Sequence, residues 1–130
     1  MAHLTIEYSA NLGDQADLPA LVGALHAAAL DTGVVSIDAL RTRADVCKHY
    51  AVGDREPKNT FVAVVVRIGP GRSAAEKHKL LDAVLDALEG SLGPAAANSM
   101  LSVECHEIDG EFRLNRNNLR HAIEERTARS

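Results

Sequence analysis

The chain has 130 residues, 46% of them hydrophobic, and a formal net charge of -4, which suits a single domain spanning residues 1–130. The acidic balance excludes nucleic acid and anionic membrane as bulk partners, so any anion has to be held by a local basic cluster. Aromatics are only 3%, Trp is absent, and no apolar run approaches the roughly 20 residues of a membrane span, leaving a core of Leu, Val, Ile and Ala.

His3 to Tyr8 alternates polar and apolar side chains, so a strand is predicted to start at residue 2. The first ten residues lack the basic start and apolar stretch of a secretory leader. Asp17 caps a predicted helix running to about Asp31. Leu18, Leu21, Val22, Leu25, Ala28 and Ala29 form its apolar stripe, Pro19 is tolerated in its first turn, and Gly33 stops it. An extended stretch follows near Leu40 to Tyr50, then a polar loop, Gly53 to Asn59, rich in turn formers.

Phe61 to Ile68 is the clearest strand, and its near-continuous apolar run predicts cover on both faces. Gly69-Pro70-Gly71 turns the chain into a capping box, Ser73 with Glu76 three residues on. The helix behind it carries Leu80, Leu81, Val84, Leu85, Leu88 and Leu92, with Gly90, Gly93 and Pro94 at its end. Met100 to Ile108 reads as a fourth strand, with Leu101, Val103 and Cys105 alternating. The tail from Glu111 is polar and Arg-rich, with a short helical pattern after Asn118.

The order is strand-helix-strand twice, the second unit echoing the first at an offset of about 58 residues. This duplication predicts an α+β fold: one four-stranded mixed sheet with two helices on one face. The other face is left bare, and the apolar strand from Val62 to Ile68 is expected to pack there against other subunits. Cys47 and Cys105 show no framework spacing and read as buried free thiols, which fits a reducing cytoplasm.

Several groups are candidates for chemistry. A strand beginning at the terminus fixes the terminal α-amine, whose ordinary pKa of roughly 8 makes it a candidate general base. Arg72 precedes the N-cap Ser73, where a cation opposes the helix dipole. An anion shared by Arg72 and the N–H groups after Gly71 would resolve that conflict, the alternative being a solvated surface arginine. Arg41 and Arg43, two apart, share a strand face and suit bidentate carboxylate binding, or else are ordinary edge charge. Asp45, Cys47 and His49 continue that alternation without a second ligand pair, so no metal site is expected. His3, His26, His78, His106 and His121 stand apart from one another and read as ordinary histidines. No Walker loop, dinucleotide fingerprint or nucleophile elbow is present, and no cofactor is expected.

Taken together, the residues resemble a known family. His3 to Ser9 with Asn11, Asp17-Leu18-Pro19, Thr32-Gly33 leading to Leu40-Arg41-Thr42-Arg43, Phe61 to Ser73, and Arg113-Leu114-Asn115-Arg116-Asn117-Asn118 are similar to 5-carboxymethyl-2-hydroxymuconate isomerases of the tautomerase superfamily. The likeness covers nearly the whole chain. In that family a terminal Pro moves a proton between carbon atoms of a dienol, and arginines hold the substrate's carboxylates and polarise its carbonyl. The resemblance therefore implies an isomerase of an unsaturated oxo-dicarboxylate in aromatic-compound catabolism, acting as a homotrimer. It assigns the base to Ala2, a catalytic arginine to Arg72, and substrate binding to Arg41 and, more weakly, Arg43. The chain departs from the family at residue 2, where Ala replaces Pro. Ala lacks the ring that fixes φ, and its nitrogen is a base only when Met1 is absent. The alternative implied is a weak or inactive trimer that keeps a carboxylate-binding pocket.

Overall fold

β1 (Ala2–Ser9) and β3 (Thr60–Ile68) lie antiparallel at the centre of a four-stranded sheet, in a computed structural model that describes residues 1–129. β2 (Leu40–Cys47) is parallel to β1, and β4 (Ser99–Glu107) is parallel to β3, giving the order β2-β1-β3-β4. Each parallel pair is joined by a helix crossing the same sheet face: α1 (Leu18–Asp31) and α2 (Ala74–Leu92). This is the predicted α+β duplication.

Local chemistry sets the helix starts. The Asp17 carboxylate accepts from Ala20 N–H at 3.1 Å, and Pro19 sits in the first turn of α1. At α2 the capping box closes in both directions: Glu76 N–H donates to Ser73 Oγ at 3.2 Å, and Ser73 N–H donates to Glu76 Oε1 at 3.0 Å. Gly90 lies inside α2, which continues to Leu92, because packing of Leu88 and Leu92 outweighs the roughly 1 kcal/mol cost of one exposed glycine. Two short 3-10 turns, Ala10–Asp14 and Gly93–Asn98, add to the elements the sequence predicts.

Leu4, Ile6, Val62, Val64, Val66 and Ile68 meet Leu21, Leu25, Leu80, Val84 and Leu88 between sheet and helices. Burying each such side chain contributes about 1.5–3 kcal/mol. The apolar side of β3 is thus spent on the helices. The opposite sheet face carries Ala63, Val65 and Arg67, in register with His3, Thr5 and Glu7 of β1 and with Ser102, Glu104 and His106 of β4. Period-2 geometry turns Val62, Val64, Val66 and Ile68 toward the helices and leaves Phe61, Ala63, Val65 and Arg67 on the bare face, so the side of this strand open to other subunits is mixed rather than wholly apolar.

β2 stops at Cys47, short of Tyr50. Both cysteines are free, but half-buried rather than buried, because they lie on the two edge strands. The tail ends in α3 (Asn118–Arg129), whose first turn is capped by Asn117 Oδ1 accepting from Arg120 N–H at 3.1 Å. Among the described residues no helix is long and apolar enough to cross a membrane.

Candidate active site

Ala2 begins β1 in the middle of the sheet, between Leu40 and Ile68, and is fully buried. Its nitrogen is a peptide amide because Met1 precedes it, so the free amine here belongs to Met1. The ladder extends one step further, with Gly69 N–H donating to the Met1 carbonyl at 3.3 Å. Burial lowers the Met1 amine below its ordinary value near 8, and the Arg113, Arg72 and Arg41 guanidiniums lower it further, with Asp38 pulling the other way. A depressed amine is neutral, and so able to accept a proton, over more of the range around pH 7.

The arginines reach this point from different elements. Arg41, at the start of β2, turns Nη2 to the Ala2 carbonyl at 3.5 Å. Arg72 follows the Gly69-Pro70-Gly71 turn and is held by carbonyls: Nε and Nη2 donate to Val34 O at 3.3 and 3.2 Å, and Nη1 donates to Gly69 O at 3.2 Å. The expectation that Arg72 and the α2 N-terminus share an anion differs from this geometry. The Glu76 carboxylate already occupies that helix end, and the guanidinium is turned back toward the sheet. Arg43 stays on the bare face, where Nη1 donates to His3 Nδ1 at 3.2 Å. The structure thus brings Arg41 and Arg72 to the terminal amine and leaves Arg43 elsewhere.

Residues not singled out by their sequence complete the arrangement. The Arg113 guanidinium rests on Gly69: a Cβ placed there would lie 3.0 Å from Arg113 Nη2 and 3.9 Å from Arg72 Nη1. Asp38, in the α1–β2 loop, binds the tail. Its carbonyl accepts from Asn117 Nδ2 at 3.0 Å, and its carboxylate accepts from Asn117 Nδ2 at 3.2 Å and from Arg120 Nε. The Arg120 hydrogen bond, with a second from Ser36, holds the Asp38 carboxyl below its usual pKa. The family-like stretch from Arg113 to Asn118 and the tail's Arg-rich composition were the sequence signals here, and neither assigned Arg113 or Arg120 a role, because their partners lie far away in the chain.

A cavity of about 340 Å³ opens beside Met1, lined also by Asp38, Arg41, Asn115, Asn117 and Arg120. Arg72 and Arg113 do not line it; both guanidiniums lie at Gly69, whose N–H bonds the Met1 carbonyl. Among the described residues no carboxylate forms an ion pair with Arg41, Arg72 or Arg113.

Four of the histidines read as isolated have side-chain partners, His3 through Arg43 among them. His26 Nδ1 meets Thr42 Oγ1 at 2.8 Å, His106 pairs with Glu104, and His121 with Glu125. Burial, with Arg41, Arg43 and Arg67 around it, pushes His3 down to about 4.

A duplicated β-α-β unit with a buried terminal strand and a depressed, cation-ringed amine defines a protein of the tautomerase superfamily. The sequence matches the model of the 5-carboxymethyl-2-hydroxymuconate isomerase family over residues 2–123, and the chain belongs to that family. The 5-carboxymethyl-2-hydroxymuconate Delta-isomerase of Escherichia coli is 23% identical over 125 residues, covering 95% of this chain and 98% of its own. The crystal structure of a 5-carboxymethyl-2-hydroxymuconate isomerase from Deinococcus radiodurans R1 superposes with a TM-score of 0.85 at 30% identity, covering 94% of this chain and 93% of that one. A fused 4-OT described as a symmetric trimer shares the fold, with a TM-score of 0.65 at 17% identity over 89% of this chain and 92% of its own. Family and fold together support an isomerase of the tautomerase type.

Proposed function

We propose that the protein moves a proton between carbon atoms of an unsaturated oxo- or hydroxy-dicarboxylate such as 5-carboxymethyl-2-hydroxymuconate, in aromatic-compound catabolism. The observation that carries this reading is the gathering of Arg41, Arg72 and Arg113 at the start of β1, on the Ala2 carbonyl and on Gly69, with no ion-paired carboxylate for them among the described residues. A small dianion supplies what the chain lacks. The amine takes a proton from one carbon, the C–H electron pair enters a dienolate, and the same nitrogen returns the proton at another carbon. Charge that develops on the dienolate oxygen is stabilised by cations already fixed in place, at no cost in reorganisation during the step.

In this scheme Ala2 supplies the base once Met1 is absent, Arg72 acts as a fixed charge, and Arg41 binds a carboxylate. Arg43 has the smallest part, being engaged with His3. The assay is ultraviolet absorbance of a conjugated oxo-dicarboxylate, with mass analysis of each N-terminus. Rates should fall in the order Ala2→Pro without Met1, Ala2 without Met1, then the chain with Met1. General-base catalysis contributes typically 10²- to 10⁴-fold, which sets the expected span. A Met1-retaining chain as fast as the Pro variant would remove the terminal amine from the mechanism.

The amide nitrogen of Ala2 favours a second reading for the chain that keeps Met1: a carboxylate-binding homologue with weak turnover. For assembly we propose a homotrimer. Met100, Phe112 and Leu114 are large apolar side chains left exposed, and both edge strands offer unpaired backbone. Sedimentation should give three times the chain mass at micromolar concentration, and a monomer there rejects the trimer.

A further inference from the structure

The tail inverts the usual arrangement of side chains. Phe112 is 82% exposed and Leu114 is 99% exposed, while the arginine between them turns inward. Arg113 Nε is buried and has no hydrogen-bond partner among the described residues. A buried donor left unpaired is costly, and a cationic one more so, so such a group is kept for a partner or a charge that arrives later.

The seat of this guanidinium is specific. Gly69 follows the last residue of β3, and it is buried. A Cβ at this position would lie 3.0 Å from Arg113 Nη2 and 3.6 Å from Cζ, so any side chain here obliges the guanidinium to move by a few tenths of an ångström. Two like charges, Arg72 and Arg113, share this seat, yet they differ in what they have free. Arg72 commits Nε, Nη1 and Nη2 to the carbonyls of Val34 and Gly69. Arg113 retains a free donor in a dry position beside that fixed charge. Met1 touches both sides, bonded through its carbonyl to Gly69 N–H and lining the Arg41 cavity.

We infer that Arg113, seated on Gly69, is a substrate-binding residue that selects acids with a second carboxylate, the first being held at Arg41 across the position of Met1. This rests on the proposed dicarboxylate reading and adds the residue that distinguishes a dicarboxylate from a monocarboxylate. A planar fork suits that task, since two parallel N–H donors match the two oxygens of one carboxylate.

The test is calorimetric titration of hexa-2,4-dienedioate and of hexa-2,4-dienoate, which differ by one terminal carboxylate, into the Met1-free protein and its variants. The dienedioate should bind more tightly. Arg113→Gln should weaken it about 10- to 100-fold, the range for a hydrogen bond to a charged group, and leave the dienoate unchanged. Arg113→Lys should fall between, keeping charge but not the fork. Gly69→Ala keeps every arginine and displaces Arg113, at 3.0 Å, while Arg72, at 3.9 Å, stays in ordinary contact, so it should weaken the dienedioate selectively, though less than Arg113→Gln, even if the tail variant folds poorly. Equal weakening of both acids marks Arg113 as a structural strap, and no weakening removes it from the site; either result overturns the inference and leaves the isomerase reading to the absorbance assay. Selective loss of the dienedioate by a protein without isomerase activity upholds the inference and sinks the isomerase reading. A protein that binds neither acid overturns both.

Discussion

The two ends of the central strand pair are built from corresponding positions of a duplicated unit and are finished in opposite ways. Where β1 runs out, beside the start of β3, asparagine amides make the connections, to backbone and to the Asp54 carboxylate. Asn11 Nδ2 donates to Asn59 O at 2.8 Å and to Pro57 O at 3.2 Å, Asn59 Nδ2 donates to Val52 O at 3.0 Å, and the Tyr50 hydroxyl accepts from Asn11 N–H at 3.3 Å. Where β3 runs out, beside the start of β1, three guanidiniums surround an amine and no ion pair neutralises them among the described residues. The first end closes the fold with amides bonded to backbone. The second leaves charge unspent, as expected of a site that awaits an anion rather than of a structural joint. Both ends open on a cavity, about 310 Å³ beside Asn11, Tyr50 and Asn59 and about 340 Å³ beside Met1 and Arg41, so the difference between them is unpaired positive charge and lies in a few side chains.

The sharpest way to break this contrast is at the charged end. Arg72→Ala should weaken dicarboxylate binding by about 1.5–3 kcal/mol, the range for interactions of charged hydrogen-bonding groups, and should also lower stability, because the Val34 and Gly69 carbonyls lose their donors. Titration calorimetry alongside thermal melting checks it, and an unchanged affinity removes Arg72 from the site. At the amide-bonded end Asn59→Ala should act on stability alone. Losing the bonds to Val52 O and Asp54 Oδ1 should cost about 1–3 kcal/mol in urea unfolding while kcat stays within about twofold. A loss of turnover without loss of stability would mean that both ends take part in catalysis.

A smaller effect separates the bare sheet face from both ends. His3 has a folded-state value of about 4, below the ordinary 6.5, so between these pH values the unfolded chain holds a proton that the folded chain does not. Stability is fully present above pH 6.5, falls as the pH drops toward 4, and is level below that. After discounting for partial exposure the loss should be about 1–2 kcal/mol, and His3→Gln should flatten that part of the denaturation profile. A profile unchanged by His3→Gln would place the acid sensitivity elsewhere.

The sequence by itself determined the elements, their order and the duplicated β-α-β topology. These follow from short-range causes: the Ser73–Glu76 capping box, the Asp17 cap, the α1 stripe and the apolar alternation of β3. It also marked Arg41 and Arg72 beside a terminal strand. Only the tertiary structure decided which face of β3 is spent on the helices, because a run of Val, Ala, Val and Val reads alike on both sides until the helices are placed. It likewise decided that Arg43 belongs to His3, that Arg72 is bonded to Val34 and Gly69, and that Glu76 rather than a ligand fills the α2 N-terminus. Arg113 and Asp38 came into view for the same reason. Their roles depend on Gly69 and on Asn117 with Arg120, partners dozens of residues away, and no local period or spacing records which distant segments the fold brings into contact.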